Sequence, residues 1–368
     1  MAEAAKGRGA LSNASGRFEP ESVEAFDDGW TGDDVEAAPL RTTLTPEHAR
    51  TIIAKNTSPD IGFDRSINPY KGCEHGCIYC YARPSHAFMG LSPGLDFESR
   101  LFFKPEAPRL LERELTKPRY LCKRIHIGGN TDPYQPVERE LKSTRSILAV
   151  MQRFNHPFSI ITKSVLIARD ADILGPMGKA GLASACVSIT TLDRGLARAM
   201  EPRASTPARR LEAISRLADA GCPVMVGFAP VIPGLNDHEL ESVLEAASKA
   251  GATSAMYVTL RLPLEIKDLF REWLADARPE RAARVMSLIR QTRGGKDYDA
   301  DWSQRMKGTG PVAELIAARF KAAIKRYGLD APRAPLDETQ FRVPADMKKQ
   351  MDLFDLPPPL PLSTVEAA

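Results

Sequence analysis

Three cysteines crowd into one short segment of the chain. Cys73, Cys77 and Cys80 follow the spacing C-x3-C-x2-C, with Tyr79 directly before the last of them. Three thiolates on one loop can hold three irons of a [4Fe–4S] cluster and leave the fourth iron without a protein ligand. An iron that stays open in this way can bind a small molecule and pass it an electron. The spacing therefore predicts an iron–sulfur centre with these cysteines as its catalytic metal ligands.

A structural zinc ion is the alternative interpretation of the same thiols. A closed zinc site takes four ligands, usually in two pairs, and the sequence has no second C-x2-C or C-x2-H pair. His75 lies inside the loop, where it is poorly placed to complete a tetrahedron with its neighbours. Cys122, Cys186 and Cys222 are scattered and are predicted to be core thiols. Reduced thiols with one cluster site indicate a cytoplasmic protein rather than a secreted disulfide scaffold.

The cysteine loop and the β-α units that follow it resemble the radical S-adenosylmethionine (SAM) superfamily over about residues 60–262. The resemblance implies that the open iron chelates the amino and carboxylate groups of SAM. It also implies that the reduced cluster cleaves the sulfonium and releases a 5′-deoxyadenosyl radical, which abstracts a hydrogen atom from the substrate. An electron donor such as a flavodoxin or ferredoxin is then expected as a partner.

A glycine-rich loop after the second predicted strand is the first candidate for binding SAM. It contains Gly128, Asn130, Thr131 and Asp132. Glycine permits close backbone approach, and the polar residues can accept from an ammonium group. The segment from Thr131 to Pro136 resembles the spore-photoproduct-lyase-like, DNA-repair-photolyase-like branch of the superfamily. The alternative interpretation is a plain Gly/Pro turn.

Two strand ends and the cysteine loop supply further candidates. In the lyase-like branch a Lys and a Ser at matching strand ends hold the SAM carboxylate, which implies this role for Lys163 and Ser188. Tyr81 resembles a tyrosine that reaches SAM in the same branch, and Tyr79 is the aromatic residue of the loop itself. A buried Lys without an anion would be costly, although a solvated strand-end Lys is the alternative here.

The end of the fifth predicted strand suits the adenine ring. Phe228 and Ala229 stand there, before a Pro- and Gly-containing loop that has the plain loop as its alternative. The pair Glu201 and Arg203 is expected either to reach ribose or substrate or to form a surface ion pair. His126 is expected to be a barrel-interior residue rather than a ligand.

The substrate class follows less directly from the residues. The lyase-like resemblance implies a nucleic acid, with lyase or DNA-repair chemistry. However, the true lyase is expected to return a hydrogen atom from a cysteine three residues before the loop Asp, and this position is Gly129. The alternatives are a radical SAM enzyme that modifies tRNA, a peptide or a metabolite, and a non-catalytic Fe–S redox module.

The elements that position these residues alternate between apolar strands and amphipathic helices. Continuous apolar runs are typical of parallel strands covered on both faces. Together with the resemblance, this predicts an α/β fold, a partial (β/α)6 TIM-type barrel with its site at the carboxyl ends of the strands. The predicted divisions are a disordered acidic tail (1–40), the barrel (60–262), a helical extension (263–335) and a Pro-rich flexible tail (345–368).

Charge and composition restrict the partners. Fifty Lys plus Arg against 47 Asp plus Glu give a formal net charge of +3, so bulk electrostatics do not indicate a polyanion binder. No run of 18 apolar residues predicts a membrane span. Gln350, Leu353 and Phe354 in the tail resemble the bacterial sliding-clamp-binding motif, which predicts a clamp as a partner. DNA contact is expected through a local groove or this tail.

Overall fold

The computed structural model describes residues 7–19, 40–332 and 334–347. In chain order the strands are β1 (Thr43–Pro46), β2 (Ile53–Lys55), β3 (Arg65–Ile67), β4 (Tyr70–Lys71), β5 (Arg100–Phe103), β6 (Ile125–Ile127), β7 (Phe158–Thr162), β8 (Ala183–Ser188), β9 (Val224–Val231) and β10 (Ser254–Thr259). The α-helices are α1 (Leu95–Ser99), α2 (Ala107–Leu115), α3 (Glu138–Leu141), α4 (Ser143–Arg153), α5 (Ala171–Lys179), α6 (Arg194–Met200), α7 (Pro207–Ala220), α8 (Leu240–Lys249), α9 (Ile266–Ala277), α10 (Pro279–Gln291) and α11 (Gly310–Arg326).

The main sheet has the strand order β10-β9-β8-β7-β6-β3-β2. The six strands from β3 to β10 in this sheet are parallel, and β2 pairs with β3 in the antiparallel direction. Strands that neighbour in space also follow each other along the chain, as the crossover rule for β-α units expects. Among the described residues no pairing joins β10 to β2, so the barrel is partial and open. The predicted α/β fold with six parallel strands is confirmed.

Residue alternation along the parallel strands separates two layers. In β9, Val226 and Phe228 are fully buried and join the hydrophobic core that the sheet forms with its helices. Met225 and Ala229 face the other way and line the interior of the barrel. Because successive side chains of a strand point to opposite faces, each strand end delivers alternate residues to the interior. This alternation decides which residues can reach a ligand.

A small sheet carries the cysteine segment. It has the order β1-β5-β4, and the chain enters the loop with Cys73 directly after β4 and Gly72. A 3-10 helix, Arg83–Met89, follows the last cysteine. The loop is therefore held between the small sheet and this helix, beside the carboxyl ends of the parallel strands.

Residues 7–19 pack against the fold, although composition places them in a disordered tail. Arg8 donates to the carbonyl oxygen of Glu98 at 2.7 Å, and the backbone N–H groups of Gly9 and Ala10 each donate to the Glu98 carboxylate at 2.9 Å. Ala10 is 1% exposed. The acceptor that orders this segment is the buried Glu98, and the composition of the tail alone carries no information on it. Residues 1–6 and 20–39 of the predicted tail lie outside the described residues.

The part of the chain after the barrel is helical, as predicted, through α9, α10 and α11. Residues 330–332 and 334–347 then cross the amino-terminal side of the sheet, where Asp337 N donates to Gly181 O and Arg342 N donates to Phe154 O, both at 3.0 Å. The predicted clamp-binding residues Gln350, Leu353 and Phe354 lie outside the described residues and stay a prediction. No helix in the described part of the chain is long and apolar enough to span a membrane.

Candidate active site

Two glycines with positive φ shape the cysteine loop. Gly72 has a φ of 78° and Gly76 a φ of 67°. A Cβ at Gly72 would stand 2.6 Å from Leu101 Cδ2, and one at Gly76 would stand 2.6 Å from a carboxylate oxygen of Glu98. These positions need glycine for both conformation and space. The turns bring Cys73 and Cys77 into buried positions, and Cys80 is half-buried.

Arg83 binds the back of the cysteine loop. Its Nε donates to Cys77 O at 2.9 Å and its Nη2 to Gly76 O at 3.1 Å, while Nη1 donates to Gly94 O at 2.9 Å. The side chain is fully buried and pairs with the buried Glu98 carboxylate. The loop carbonyls therefore have fixed partners. Arg83 stands three residues after Cys80, and its role was not predicted from the sequence.

Gln135 and Thr131 bind the loop from the barrel side. Gln135 is fully buried, donates to Gly72 O at 3.2 Å and accepts from Glu74 N at 2.8 Å. Thr131 Oγ1 donates to the same Gly72 carbonyl at 2.7 Å. Thr131 is therefore occupied as a support of the cysteine loop, which differs from the predicted contact with an ammonium group. The predicted segment from Thr131 to Pro136 does reach the cysteine loop, through the backbone of Gly72 and Glu74.

Asp132 connects the cysteine loop to the end of β7. Its carboxylate accepts from Thr162 Oγ1 at 2.6 Å and from the Lys163 backbone N–H at 2.8 Å. His75 Nδ1 lies 3.2 Å away. Burial alone would raise the pKa of Asp132, but His75 and these hydrogen bonds outweigh burial and lower the pKa to about 2. Asp132 is thus an anion that positions Lys163.

Tyr79 turns away from the thiols and enters a buried polar network. Its hydroxyl contacts Thr190 Oγ1 at 3.1 Å and donates to Glu201. Glu201 also pairs with Arg210, and Arg210 donates to the Ser188 carbonyl at 3.0 Å. Burial would raise the pKa of Glu201, but Arg210 and Lys163 lower it to about 2. Glu201 is 2% exposed and pairs with the buried Arg210, so the expectation of a surface ion pair is wrong.

Arg203, which sequence reasoning paired with Glu201, has a different partner. Its Nη2 lies 3.0 Å from the carboxylate of Glu74, a residue of the cysteine loop. The Arg203 backbone N–H also donates to His75 O at 3.3 Å. The segment after α6 therefore supports the cysteine loop through Arg203 and the interior of the barrel through Glu201.

A cavity of about 1170 Å³ occupies the barrel interior. Seven of the predicted site residues line it: Cys77, Tyr79, Cys80, Tyr81, Lys163, Ser188 and Ala229. Ser188 Oγ donates to Ala229 O at 3.2 Å, which joins two neighbouring strand ends at the wall. His126 lines the interior and stacks on Phe63 with ring centroids 4.3 Å apart, in agreement with the expected interior position.

The remaining predicted residues lie outside this lining. Phe228 is a correction: it points into the core on the opposite face of β9, because Ala229 takes the inward position. Gly128 is buried against Pro133, and Asn130 is exposed with its backbone N–H donating to Asn68 Oδ1 at 2.7 Å. Cys73 is buried beside the cavity rather than at its wall.

The thiols fit a positively charged inorganic group. Burial raises the pKa of all three, and the negative charge of neighbouring thiolates raises the pKa of Cys73 and Cys77 further. Three thiolates this close would need a cationic partner, which an iron cluster supplies. Among the described residues no group of His, Cys, Asp or Glu side chains converges to hold a single metal ion. Ligands of one cluster bind different irons and do not need to converge.

Lys163 places a cation beside this loop. Its Nζ lies 5.7 Å from the centroid of the Tyr79 ring. Burial would lower the pKa of Lys163, but the negative charges of Cys77 and Glu201 raise it. The ammonium is therefore held charged at the wall of the cavity, where it can meet an anionic group of a ligand.

Known proteins resemble this chain in sequence. The family model of the Radical SAM superfamily matches residues 67–247. An uncharacterized protein of Mycobacterium tuberculosis is 34% identical over 231 residues, which cover 62% of this chain and 68% of that protein. An uncharacterized protein of Methanocaldococcus jannaschii is 28% identical over 173 residues, or 47% of this chain and 62% of that protein.

Solved structures of spore photoproduct lyase share the fold. A Cys-to-Ser variant of that enzyme gives a TM-score of 0.51 at 15% identity, covering 77% of this chain and 79% of the lyase chain. A second variant, with bound AdoMet and dinucleoside spore photoproduct, gives a TM-score of 0.50 at 14% identity over the same shares. An open parallel barrel with a three-cysteine loop at its strand ends defines the class. The chain belongs to the radical SAM superfamily and is a radical SAM enzyme.

Proposed function

We propose that Cys73, Cys77 and Cys80 hold a [4Fe–4S] cluster and that the cavity beside it binds SAM. The observation that carries this proposal is the position of Cys77 and Cys80 at the wall of a cavity that Lys163 and Ser188 also line. When bound, the reduced cluster supplies the electron that cleaves SAM to a 5′-deoxyadenosyl radical. The chain itself contributes the ligands, the binding groups and the exclusion of water.

Lys163 and Ser188 bind the SAM carboxylate in this proposal. The Lys163 ammonium is charged, and its backbone N–H is fixed by the Asp132 carboxylate at 2.8 Å. Ser188 has its carbonyl held by Arg210, and its hydroxyl, which donates to Ala229 O at 3.2 Å, would turn from that carbonyl to the SAM carboxylate. Ala229 leaves space for the adenine ring at the next strand end, because a larger side chain would occupy that part of the cavity. Preorganised groups of this kind bind with less entropic cost.

Tyr81 covers the mouth of the cavity beside the last cysteine. Its hydroxyl donates to Gly129 O, which joins the cysteine loop to the loop after β6. We assign Tyr81 to the boundary between SAM and substrate.

The proposed substrate is a nucleic acid. Two basic side chains, Lys163 and Arg261, line the cavity at the carboxyl ends of β7 and β10, whereas Arg124 and Lys179 line its amino-terminal side and Asp60 is the acidic residue of the lining. Such a lining favours an anionic ligand. The dinucleoside in a lyase structure of the same fold supports the choice of a nucleic acid. An external electron donor, a flavodoxin or ferredoxin, completes the proposal.

Anaerobic reconstitution tests the initiating chemistry. The full chain is loaded with iron and sulfide, reduced with dithionite and incubated with SAM, and 5′-deoxyadenosine is quantified. Cys77→Ala is expected to lose both the cluster absorbance and 5′-deoxyadenosine. Cys122→Ala is the matched control, because Cys122 is half-buried and lies away from the loop, and it is expected to keep both.

A redox module without catalysis predicts a different result. A chain that assembles an intact cluster but neither binds SAM nor forms 5′-deoxyadenosine would overturn the SAM proposal. Electron transfer would then be the function left, and equilibrium dialysis with labelled SAM separates the two cases.

A further inference from the structure

Arg261 lies just beyond the carboxyl end of β10, at the wall of the cavity. Its guanidinium carbon is 5.4 Å from the centroid of the Tyr81 ring. Its Nη1 has the Met306 sulfur at 3.5 Å, and its Nε is buried with no hydrogen-bond partner. A thioether is a weak acceptor, whereas a guanidinium offers five donors. Arg261 is therefore short of acceptors in a place that a ligand can reach.

No carboxylate in the described part of the chain forms a salt bridge with Arg261, although the charge of Arg261 helps to lower the pKa of the nearby Asp60. Asp60, the acidic residue of the cavity lining, accepts two hydrogen bonds of 2.5 Å from Arg305. Behind Arg261, the buried Arg293 donates to Leu260 O at 2.7 Å and to Thr259 O at 3.3 Å. Carbonyl groups satisfy donors but do not neutralise charge. Arg261 and Arg293 thus share this corner, while the nearby Asp60 carboxylate is hydrogen-bonded to Arg305.

Electrostatics agree with that geometry. Burial lowers the pKa of Arg293 to about 10, and the charge of Arg261 adds to the decrease. A site in which one cation lowers the pKa of another is stabilised when an anion enters.

Aromatic rings stand next to the Arg261 guanidinium. Tyr81 is 50% exposed, so one part of its ring stays available beside the Arg261 guanidinium. Phe63 and His126 form a stacked pair on another wall of the same cavity. Bases stack on aromatic side chains, and arginine binds phosphate with two parallel hydrogen bonds. A base and a phosphate together are the chemistry of a nucleotide.

We propose that Arg261 binds a phosphate group of the substrate nucleotide, with Tyr81 as the neighbouring stacking surface. This inference rests on the proposed function, since it assigns a substrate contact in the same cavity. It places two cations in separate roles: Lys163, beside Cys77, faces the SAM carboxylate, and Arg261, beside Tyr81, faces the substrate phosphate. The ligand chemistry is a phosphate ester on a base-carrying nucleotide.

The test measures binding of a fluorescent pentathymidylate to the reconstituted full chain in the presence of SAM. A second probe has the same sequence with neutral methylphosphonate linkages. Arg261→Gln is expected to weaken binding of the charged probe by about tenfold or more, since hydrogen bonds to charged groups contribute at this level. Binding of the neutral probe is expected to change less than about twofold, because no ionic contact is lost. Arg261→Lys should recover part of the affinity.

Controls separate the substrate contact from folding and from SAM binding. Arg326→Gln, at the end of α11, is expected to bind both probes like the wild type. Arg261→Gln is expected to keep the thermal unfolding midpoint, the cluster absorbance and the SAM affinity of the wild type. Thymidine monophosphate competing as well as the oligonucleotide would support the subsite and identify a free nucleotide as the source of the phosphate.

Several results would overturn the proposal. In Arg261→Gln, these results are an equal loss of affinity for the charged and neutral probes, no loss of affinity for the charged probe, or a loss of SAM affinity. In the wild type, the result is displacement of the charged probe by inorganic phosphate as strong as by thymidine monophosphate. Failure of the proposed function is distinct, because 5′-deoxyadenosine formation by the wild type is measured without any oligonucleotide.

Discussion

His75 Nδ1 lies 3.2 Å from a carboxylate oxygen of Asp132, which connects the cysteine loop to the loop after β6. The same carboxylate accepts from the Lys163 backbone N–H, so one side chain fixes both the thiol-bearing loop and the neighbouring lysine. The position of the cysteine thiols relative to the Lys163 ammonium therefore depends on Asp132. A cluster and a SAM carboxylate bound side by side would need this spacing to be constant.

Asp132→Asn should destabilise the fold. Aspartate has two carboxylate oxygens that accept hydrogen bonds, whereas asparagine has one carbonyl oxygen. At least one buried donor among Thr162, Lys163 and Tyr134 therefore loses its acceptor. The expected loss is about 2 kcal/mol of unfolding free energy, the cost of an unsatisfied buried donor. Urea denaturation of the chain without cluster measures it. Asp276→Asn, exposed on α9, is the matched control, and equal midpoints for the two variants would contradict the role of Asp132.

Much of the barrel could be predicted from local sequence, and the supports of the site could not. The strands are short apolar runs, so their burial could be predicted from composition. The three cysteines lie within eight residues, so their spacing could be recognised from one short segment. The contacts that hold the loop are long-range: Gln135 meets Glu74 across 61 positions, and Gly9 meets Glu98 across 89. Local patterns carry no information on such pairs. Local sequence therefore did not predict the contacts by which Thr131 and Asp132 support the cysteine loop and the end of β7.

Side-chain direction at strand ends was the second limit of prediction. A sequence shows that Phe228 and Ala229 end β9, but which of them faces the interior depends on the register of the whole sheet. A shift by one residue exchanges the two faces of a strand. Ala229 is inward, and the larger Phe228 fills the core instead.

Gln135→Glu should weaken the hold on the cysteine loop. The amide group donates to Gly72 O and accepts from Glu74 N, and a carboxylate can only accept. The variant would also bury a charge in a fully buried position. We expect lower iron content after reconstitution, by about twofold or more, on the basis of a cost of 1–3 kcal/mol for the lost contact. Gln152→Glu, exposed on α4, should retain wild-type iron content, and equal iron in both variants would contradict this role.

Glu201→Gln should be costly because Arg210 would stay buried without its anion. The two side chains are 0% and 2% exposed, and removing one partner of a buried pair costs about 3–5 kcal/mol. Urea denaturation is again the measurement, with Glu314→Gln on α11 as the exposed control. An unfolding free energy within 1 kcal/mol of the wild type, about the worth of a surface ion pair, would show that the Glu201–Arg210 pair is not needed.

Gly9→Ala tests whether residues 7–19 are part of the site. A Cβ at Gly9 would stand 1.8 Å from the carbonyl oxygen of Gly76, so the segment has to move away from the cysteine loop. The Glu98 carboxylate, which pairs with Arg83, would lose two backbone donors. We expect faster loss of cluster absorbance in air than in the wild type. Gly62→Ala is the control, since its Cβ comes no closer than 3.9 Å to another part of the chain.

The ion pair of Arg305 with Asp60 joins the two open edges of the barrel. Asp60 belongs to the loop between β2 and β3, and Arg305 precedes Met306, whose carbonyl accepts from Thr259 N at the end of β10. The hydrogen bonds from Arg305 lower the pKa of Asp60 below its ordinary value of 3.8. A carboxylate with a lowered pKa stabilises the folded state above the unfolded pKa and loses this contribution as the pH falls through the folded pKa.

Asp60→Asn should therefore reduce stability at pH 7 by about 1 kcal/mol, and the difference from the wild type should shrink as the pH falls below about 4. Urea denaturation from pH 3 to pH 7 measures the difference. Asp64→Asn on the same loop is the control, because Asp64 is exposed and forms no ion pair within the described residues. A difference between wild type and Asp60→Asn that stays constant down to pH 3 would mean that the Asp60 charge does not close the barrel edge.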